Sequence, residues 1–218
     1  MRCFIAIDLP EDIKNFIGHL IELNYSIEDV NLVKKSNLHI TLKFLGEVNS
    51  DILSSITESI SNLANNFSPF ILKISYPGVF PDKINPRVIW IGLEFSEELK
   101  ELTLKIDEEM HKRGFEREQR EFKAHITVAR VKNPRNGRYV FEKILKSFKE
   151  KNLSTNLLKN DTLSDFSNIV FEKAFIPQFK VKEFVLMKSI LTPKGSIYEV
   201  LKKFPLCKNI NGIIKQNA

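Results

Sequence analysis

Apolar and polar positions alternate along this chain with two different periods, and the changes of period mark out its elements. Arg2 to Asp8 is almost wholly apolar, which predicts a short strand buried on both faces. Pro10 suits a first helical turn and Glu11 and Asp12 put negative charge at its start. Ile13, Phe16, Ile17, Leu20 and Leu23 then recur at helical spacing, so an amphipathic helix follows. Leu38 to Leu45 returns to strand alternation, closed by Gly46. A helix capped by Ser50 then carries Leu53, Ile56, Ile60 and Leu63 along one side. Phe70 to Tyr76 and Arg87 to Leu93 are expected to pair as a hairpin, joined by a stretch whose Pro77, Gly78, Pro81 and Pro86 continue neither strand. Ser96 caps the next helix, with Leu99, Leu102, Ile106 and Met110 on its buried side, and Ala124 to Val131 is a second alternating strand.

Beyond Arg130, Asn133-Pro134 and Asn136-Gly137 predict a loop, followed by a helix carrying Val140, Ile144, Leu145 and Phe148. Ser154 to Asn168 is polar and weakly periodic, which predicts a surface loop or a short helical excursion. Phe184 to Ile190 is a strand, Pro193 and Gly195 mark a turn, and Ser196 to Phe204 fits strand or helix on pattern alone. Lys208 to Ala218 has little to anchor it.

The order strand, helix, strand, helix occurs twice, from Arg2 to about Asn66 and from Arg87 to about Lys151. Within it His39-Ile40-Thr41-Leu42 returns as His125-Ile126-Thr127-Val128. The two histidines stand 86 positions apart and the strands that precede them, opening at Arg2 and Arg87, 85 apart. Two copies packed about an approximate two-fold axis would bring both His-Thr pairs to one cleft.

Composition narrows the choices only moderately. At 218 residues and 43% hydrophobic, with 17 Phe, the chain can bury a sizeable core. Its net charge of +6 suits a polyanionic partner but does not require one. Two cysteines at opposite ends, Cys3 and Cys207, make neither a disulfide framework nor a metal cluster, and buried thiols are expected. No apolar run is of membrane-spanning length and the first residues do not resemble a signal peptide, so a reducing cytoplasm is the expected home.

The chemistry is concentrated in the repeated tetrapeptide. Residue frequencies give about a tenth of one expected His-x-Thr match, and two occur. In a strand, residues two apart share a face, so His39 projects with Thr41 and His125 with Thr127. Two imidazoles and two hydroxyls around one phosphate supply an acid, a base and two donors, the needs of in-line displacement at phosphorus. Near-identical motifs do not say which histidine is the acid. His19 and His111, on helical stretches outside any motif, are expected to be structural or surface residues. His-x-Thr offers one metal ligand per strand with no third ligand nearby, so no metal is expected; no glycine-rich phosphate loop occurs, so no cofactor is expected.

These motifs, with the opening RCFIAIDLP from Arg2, HITLKFLGE from His39, HITVAR from His125 and SILTPKG from Ser189, resemble the RNA 2',3'-cyclic phosphodiesterases, historically called 2'-5' RNA ligases, of the two-histidine phosphoesterase superfamily. The resemblance runs from Met1 to about Leu206, apart from a variable stretch near 154–179. It implies an α+β, bilobal fold of two pseudo-symmetric lobes with mainly antiparallel sheets, one domain over 1–206 and a tail over 207–218. It tips Ser196 to Phe204 toward strand. It implies that His39 gives a proton to the leaving 3' oxygen and His125 takes one from water, leaving a 2'-phosphate. Thr41 and Thr127 would bind phosphate oxygens, and Arg130 would hold the phosphate too.

Strand parity complicates the last of these. Five positions after His125, Arg130 would point away in a regular strand; either a bend or bulge after Thr127 turns it back or its role is structural. By the same parity Phe44 is expected in the core, while Lys43 shares the side of Thr41. Nine basic residues against three acidic between Lys112 and Arg138 predict an RNA-contacting loop at the rim, with Arg135 and Arg138 exposed on it. The expected partner is RNA ending in a 2',3'-cyclic phosphate, tRNA fragments among them, met by a monomer, with no membrane. Two other functions fit the same residues: a phosphodiesterase of small nucleotides or 2'-5' oligoadenylates, and a noncatalytic RNA-binding module.

Overall fold

Strand alternation of the kind seen around the two motifs needs a sheet with one face buried, and the chain builds one. A computed structural model describes residues 1–22, 27–157, 177–192 and 195–207, and the side chains of all but 151–157 among them. In order it has β1 (Arg2–Asp8), α1 (Glu11–Leu20), β2 (Val30–Leu32), β3 (His39–Glu47), α2 (Ser50–Ala64), β4 (Phe70–Phe80), β5 (Val88–Leu93), α3 (Glu97–His111), β6 (His125–Val131), α4 (Pro134–Leu157), β7 (Gln178–Val181), β8 (Glu183–Thr192) and β9 (Gly195–Pro205). This is the expected α+β class, and β9 is a strand. Leu23, Pro193, residues 158–176 of the variable stretch and the tail from Lys208 lie outside the described residues.

The strands run β7-β4-β5-β6-β3-β1-β8-β9, each antiparallel to its neighbours, with β2 pairing beside β6. The order is symmetric about its centre, as the repeat requires: β6 and β3 carry the motifs, β5 and β1 flank them, and β4 and β8 lie outside those. The halves join through one bridge, Ile40 opposite Ile126. One segment then links the two ends. β7 pairs with β4, and after the single residue Lys182 the same chain, as β8, pairs with β1, so the sheet must curl to let it border both.

All four helices cover one face. Ile13 and Ile17 of α1, Ile56 and Ile60 of α2, Leu102 and Ile106 of α3, and Ile144 and Phe148 of α4 share a single core with Ile5, Ile40, Ile91 and Ile126. Burying an aliphatic side chain of this size contributes about 1.5–3 kcal/mol, so the inward set of each strand fixes which face looks out. A second, smaller cluster of Phe4, Ala6, Val185 and Met187, with Tyr198 against it, lies on the opposite face and contains no helix residue.

Three boundaries differ from expectation. β4 continues through Pro77 and Gly78 to Phe80, because the register slips between Ile74 and Pro77 and the bulge accommodates a residue without an N–H. The Asn133-Pro134-Arg135-Asn136-Gly137 stretch is not a loop but the start of α4. Pro134 takes the first helical position, Asn133 Oδ1 accepts the Arg135 N–H at 3.0 Å, and Gly137 fits because a Cβ there would come within 2.6 Å of Val131. Asn49 rather than Ser50 caps α2. Ser96 caps α3 as expected, accepting the Leu99 N–H at 3.2 Å. Of the two cysteines Cys3 is buried, whereas Cys207, expected buried, is exposed just past β9, one residue beyond the core residue Leu206. No described helix is long and apolar enough to cross a membrane.

Candidate active site

The bridge between Ile40 and Ile126 turns both apolar neighbours into the core and both His-Thr pairs to the helix-free face. Extending its antiparallel register sets His39 across from Thr127 and Thr41 across from His125. The four side chains predicted to act together are therefore neighbours on the two central strands, each half-buried.

Each imidazole is held by the chain just before it. His39 Nδ1 lies 2.7 Å from the Asn37 carbonyl and His125 Nδ1 2.6 Å from the Lys123 carbonyl. A carbonyl only accepts, so both Nδ1 atoms carry hydrogen and both Nε2 atoms are the ones free to trade a proton. They are not equivalent. His39 Nε2 is 3.0 Å from Thr41 Oγ1, while His125 Nε2 has no hydrogen-bond partner among the described residues. Aromatic rings lie near each: Phe4 at 5.0 Å and Tyr198 at 5.2 Å from His39, Phe80 at 5.2 Å and, farther off, Trp90 at 6.2 Å from His125.

Burial holds both imidazoles below their ordinary pKa. For His39 the Asn37 carbonyl and the Asp8 carboxylate push back upward, while Arg130 and His125 push down. For His125 the Lys123 carbonyl pushes up and Arg130 down. The two rings and Arg130 thus lie within electrostatic reach of one another, although the motifs are far apart in sequence.

The parity problem resolves in both strands by the same device. Thr127 pairs with Trp90 and Ala129 with Ile89, leaving Val128 as an extra residue, a β-bulge immediately after the threonine. Val128 and Ala129 are both buried, and Arg130 emerges exposed on the histidine face. In the first motif Thr41 pairs with Ala6 and Lys43 with Ile5, so Leu42 is the extra residue. The expectations for Lys43 and Phe44 are therefore both reversed. Lys43 is 7% exposed on the core side, ion-paired with Asp107 at 2.6 Å and donating to the Glu116 carbonyl at 2.5 Å. Phe44, expected in the core, is 64% exposed on the histidine face, opposite Phe4 and at the position equivalent to Arg130.

Two further residues were not singled out from sequence. Asp8 pairs with His39 across β1 and β3, and its carboxylate accepts from Lys14 at 2.7 Å. Parity along β1 was the available signal, since Phe4, Ala6 and Asp8 alternate with the core residues. Tyr198 had no signal, because the strand character of its segment was itself undecided. Asn37 ties the two regions together, donating from its side chain to the Ser196 carbonyl at 2.7 Å. His19 and His111 are exposed and bound to nearby carbonyls of Asn15 and Phe115, away from this face. Arg135 and Arg138 sit on the first turns of α4 rather than on a loop, with Arg138 donating to the Ile84 carbonyl at 2.7 Å. Among the described residues no group of three His, Cys, Asp or Glu side chains is arranged to hold a metal ion.

A family model for the 2'-5' RNA ligase superfamily matches residues 9–163. The chain is 38% identical to an RNA 2',3'-cyclic phosphodiesterase of Methanocaldococcus jannaschii, covering 94% of this chain and 100% of that one. It is 34% identical to an RNA 2',3'-cyclic phosphodiesterase of Archaeoglobus fulgidus, covering 94% and 99%. Its fold superposes on a Thermus thermophilus protein with a TM-score of 0.72 at 26% identity, over 96% of this chain and 100% of the other. E. coli LigT, solved with 3'-AMP, shares the fold with a TM-score of 0.68 at 23% identity, over 94% and 97%.

Proposed function

The chain belongs to the 2'-5' RNA ligase superfamily, and from that membership we infer that it is an RNA 2',3'-cyclic phosphodiesterase working by acid and base catalysis from two histidines without a metal. The observation that carries this reading is the Ile40–Ile126 bridge, which puts both His-Thr pairs on one open face. A cyclic phosphate placed over that bridge meets all the groups that hydrolysis needs.

His125 Nε2 takes a proton from water, and the resulting hydroxide oxygen bonds to phosphorus as the bond to the 3' oxygen breaks. His39 Nε2 gives its proton to that leaving oxygen, so a 2'-phosphomonoester and a free 3'-hydroxyl remain. The neighbours of each ring support this division of labour. Asp8 favours the charged form of His39, whereas the open Nε2 of His125 offers a lone pair. In the free site a protonated His39 donates to Thr41 Oγ1; once that hydrogen turns to the leaving oxygen, the threonine hydroxyl donates to a nonbridging oxygen. Thr127 and Arg130 meet the other nonbridging oxygen, and Arg130, brought round by the bulge, neutralises charge that builds there. Phe44 offers a face for the terminal base.

Replacing water by the 5'-hydroxyl of a second RNA gives 2'-5' ligation through the same proton transfers. The partner is RNA with a cyclic-phosphate end, including tRNA fragments, met by a monomer in a reducing cytoplasm. Purified protein in excess chelator, given a cyclic-phosphate oligonucleotide and followed by phosphorus NMR, tests the reading. The 2'-phosphate should appear with the wild type and not with His39→Ala or His125→Ala. Turnover that needs added metal, or that survives both replacements, would overturn it.

A further inference from the structure

In-line displacement brings the entering oxygen in opposite the leaving one, so the two histidine walls receive different things. With His39 protonating the leaving oxygen, the ribose and base of the cyclic end lie toward Phe4, Phe44 and Tyr198, and the entering side belongs to His125. A wall built to hold only water would be polar, since an ordered water takes two to four hydrogen-bonding partners. The wall beside His125 is aromatic instead. Phe80 and Trp90 stand 5.2 Å apart at 36°, both half-buried, with His125 against each.

Trp90 is the only tryptophan of the chain, and its seat is made for a flat ring. It pairs with Thr127, so it lies on the histidine face. It also pairs with Gly78, where a Cβ would come within 2.2 Å of the indole. Its Nε1 is buried and has no hydrogen-bond partner among the described residues, so hydrogen bonding does not explain the indole. Packed on Gly78 and half-buried, the indole leaves part of its surface open. The adjoining rim is basic. Lys83 and Arg87 lie on the β4–β5 connection with Asp82, and Lys132, Arg135 and Arg138 lie beside it. Arg87 donates to the Lys132 carbonyl and Arg138 to that of Ile84.

We propose that the Phe80–Trp90 wall is an acceptor subsite, which stacks the first base of an RNA strand whose 5'-hydroxyl enters in place of water. The 5' oxygen bonds to phosphorus and the bond to the 3' oxygen breaks. His125 takes the hydroxyl proton and His39 supplies one to the 3' oxygen, giving a 2'-5' phosphodiester with no nucleotide consumed. The basic rim receives the phosphates that follow. The proposal rests on the cyclic phosphodiesterase reading given above.

The test supplies wild-type protein with a cyclic-phosphate oligonucleotide and a second oligonucleotide bearing a 5'-hydroxyl, and measures ligated and hydrolysed product together. Trp90→Leu should lower the ratio of ligation to hydrolysis by about tenfold or more, and Trp90→Phe should largely keep it. Independently of any variant, an acceptor dinucleotide with a 5'-hydroxyl and no terminal phosphate should quench the single tryptophan saturably, while a nucleoside 2'-phosphate should leave its emission nearly unchanged. A ratio unmoved by Trp90→Leu, both rates falling together, or no quenching would overturn the subsite. Hydrolysis without ligation by the wild type overturns this proposal alone, whereas a wild type that opens no cyclic phosphate overturns the parent reading with it.

Discussion

The half of the molecule around β3 and the half around β6 share one backbone plan and differ in what they hang on it. Both present His-x-Thr, both bulge directly after the threonine, and both fix Nδ1 with a carbonyl two residues upstream. Yet the residue across from His39 is Asp8 and the residue across from His125 is Gly92. The first residue to emerge after the bulge is Phe44 in one half and Arg130 in the other. A duplicated scaffold supplies position, and these unmatched residues make the pair unequal: a carboxylate acts on His39 and not on His125, the asymmetry on which the proposed donor and acceptor roles rest.

The sharpest way to break that comparison is to delete each ring. His39→Ala and His125→Ala should each lower kcat/KM for a cyclic-phosphate end by about 10²–10⁴, and the double variant by far less than the product, because one relay is lost either way. A double variant whose loss equals that product would show two independent contributions. Next come the bulge residues. Arg130→Ala should cost about 10²–10³ in kcat, whereas Phe44→Ala should raise KM about tenfold with kcat little changed. The two effects appearing in the same kinetic constant would erase the proposed difference between the halves.

Lys43→Met tests the core side of the same bulge. It leaves Asp107 without its ion pair and should cost about 3 kcal/mol of stability, read as a lowered denaturation midpoint, while turnover per folded molecule persists. Asp8→Asn should lower stability somewhat, because Lys14 loses its ion pair, and its effect on turnover should be on pH dependence. As the proposed acid His39 must be protonated, so the rate falls as pH rises past its pKa; removing the carboxylate lowers that pKa and moves the basic limb to lower pH. The acidic limb, set by His125, should stay in place, because Asp8 is not among the groups that shift it. Charge reversal at Arg135 and Arg138 has the smallest expected effect, a shallower salt dependence of RNA binding, and an unchanged slope would remove the rim from the RNA path.

Much of this architecture was legible before any coordinates. Periodicity located the strands and helices, and the repeat located the two motifs at equivalent places, because burial against helices forces alternation on β3 and β6 alike. The orientation of Lys43, Phe44 and Arg130 was not legible from a regular strand, since an extra residue leaves the sequence looking like unbroken strand and reverses parity beyond it. The bulge that a phosphate-facing Arg130 requires does exist, and its twin in β3 corrected two other assignments at once. Asn136-Gly137 misled for a different reason: a pair that ordinarily signals a turn sits in a helix here because Val131 leaves no room for a larger side chain.

The extra residues at Leu42 and Val128 also set how these strands tolerate change in length. Shortening the second motif by that single valine would turn the rest of the strand inside out, driving a guanidinium into oil and an aliphatic chain into water, although His125, Thr127 and Arg130 would all still be encoded. Substitution is survivable at such a point and loss is not, so a gene drifting in this family should vary the identity of these two residues far more freely than their number.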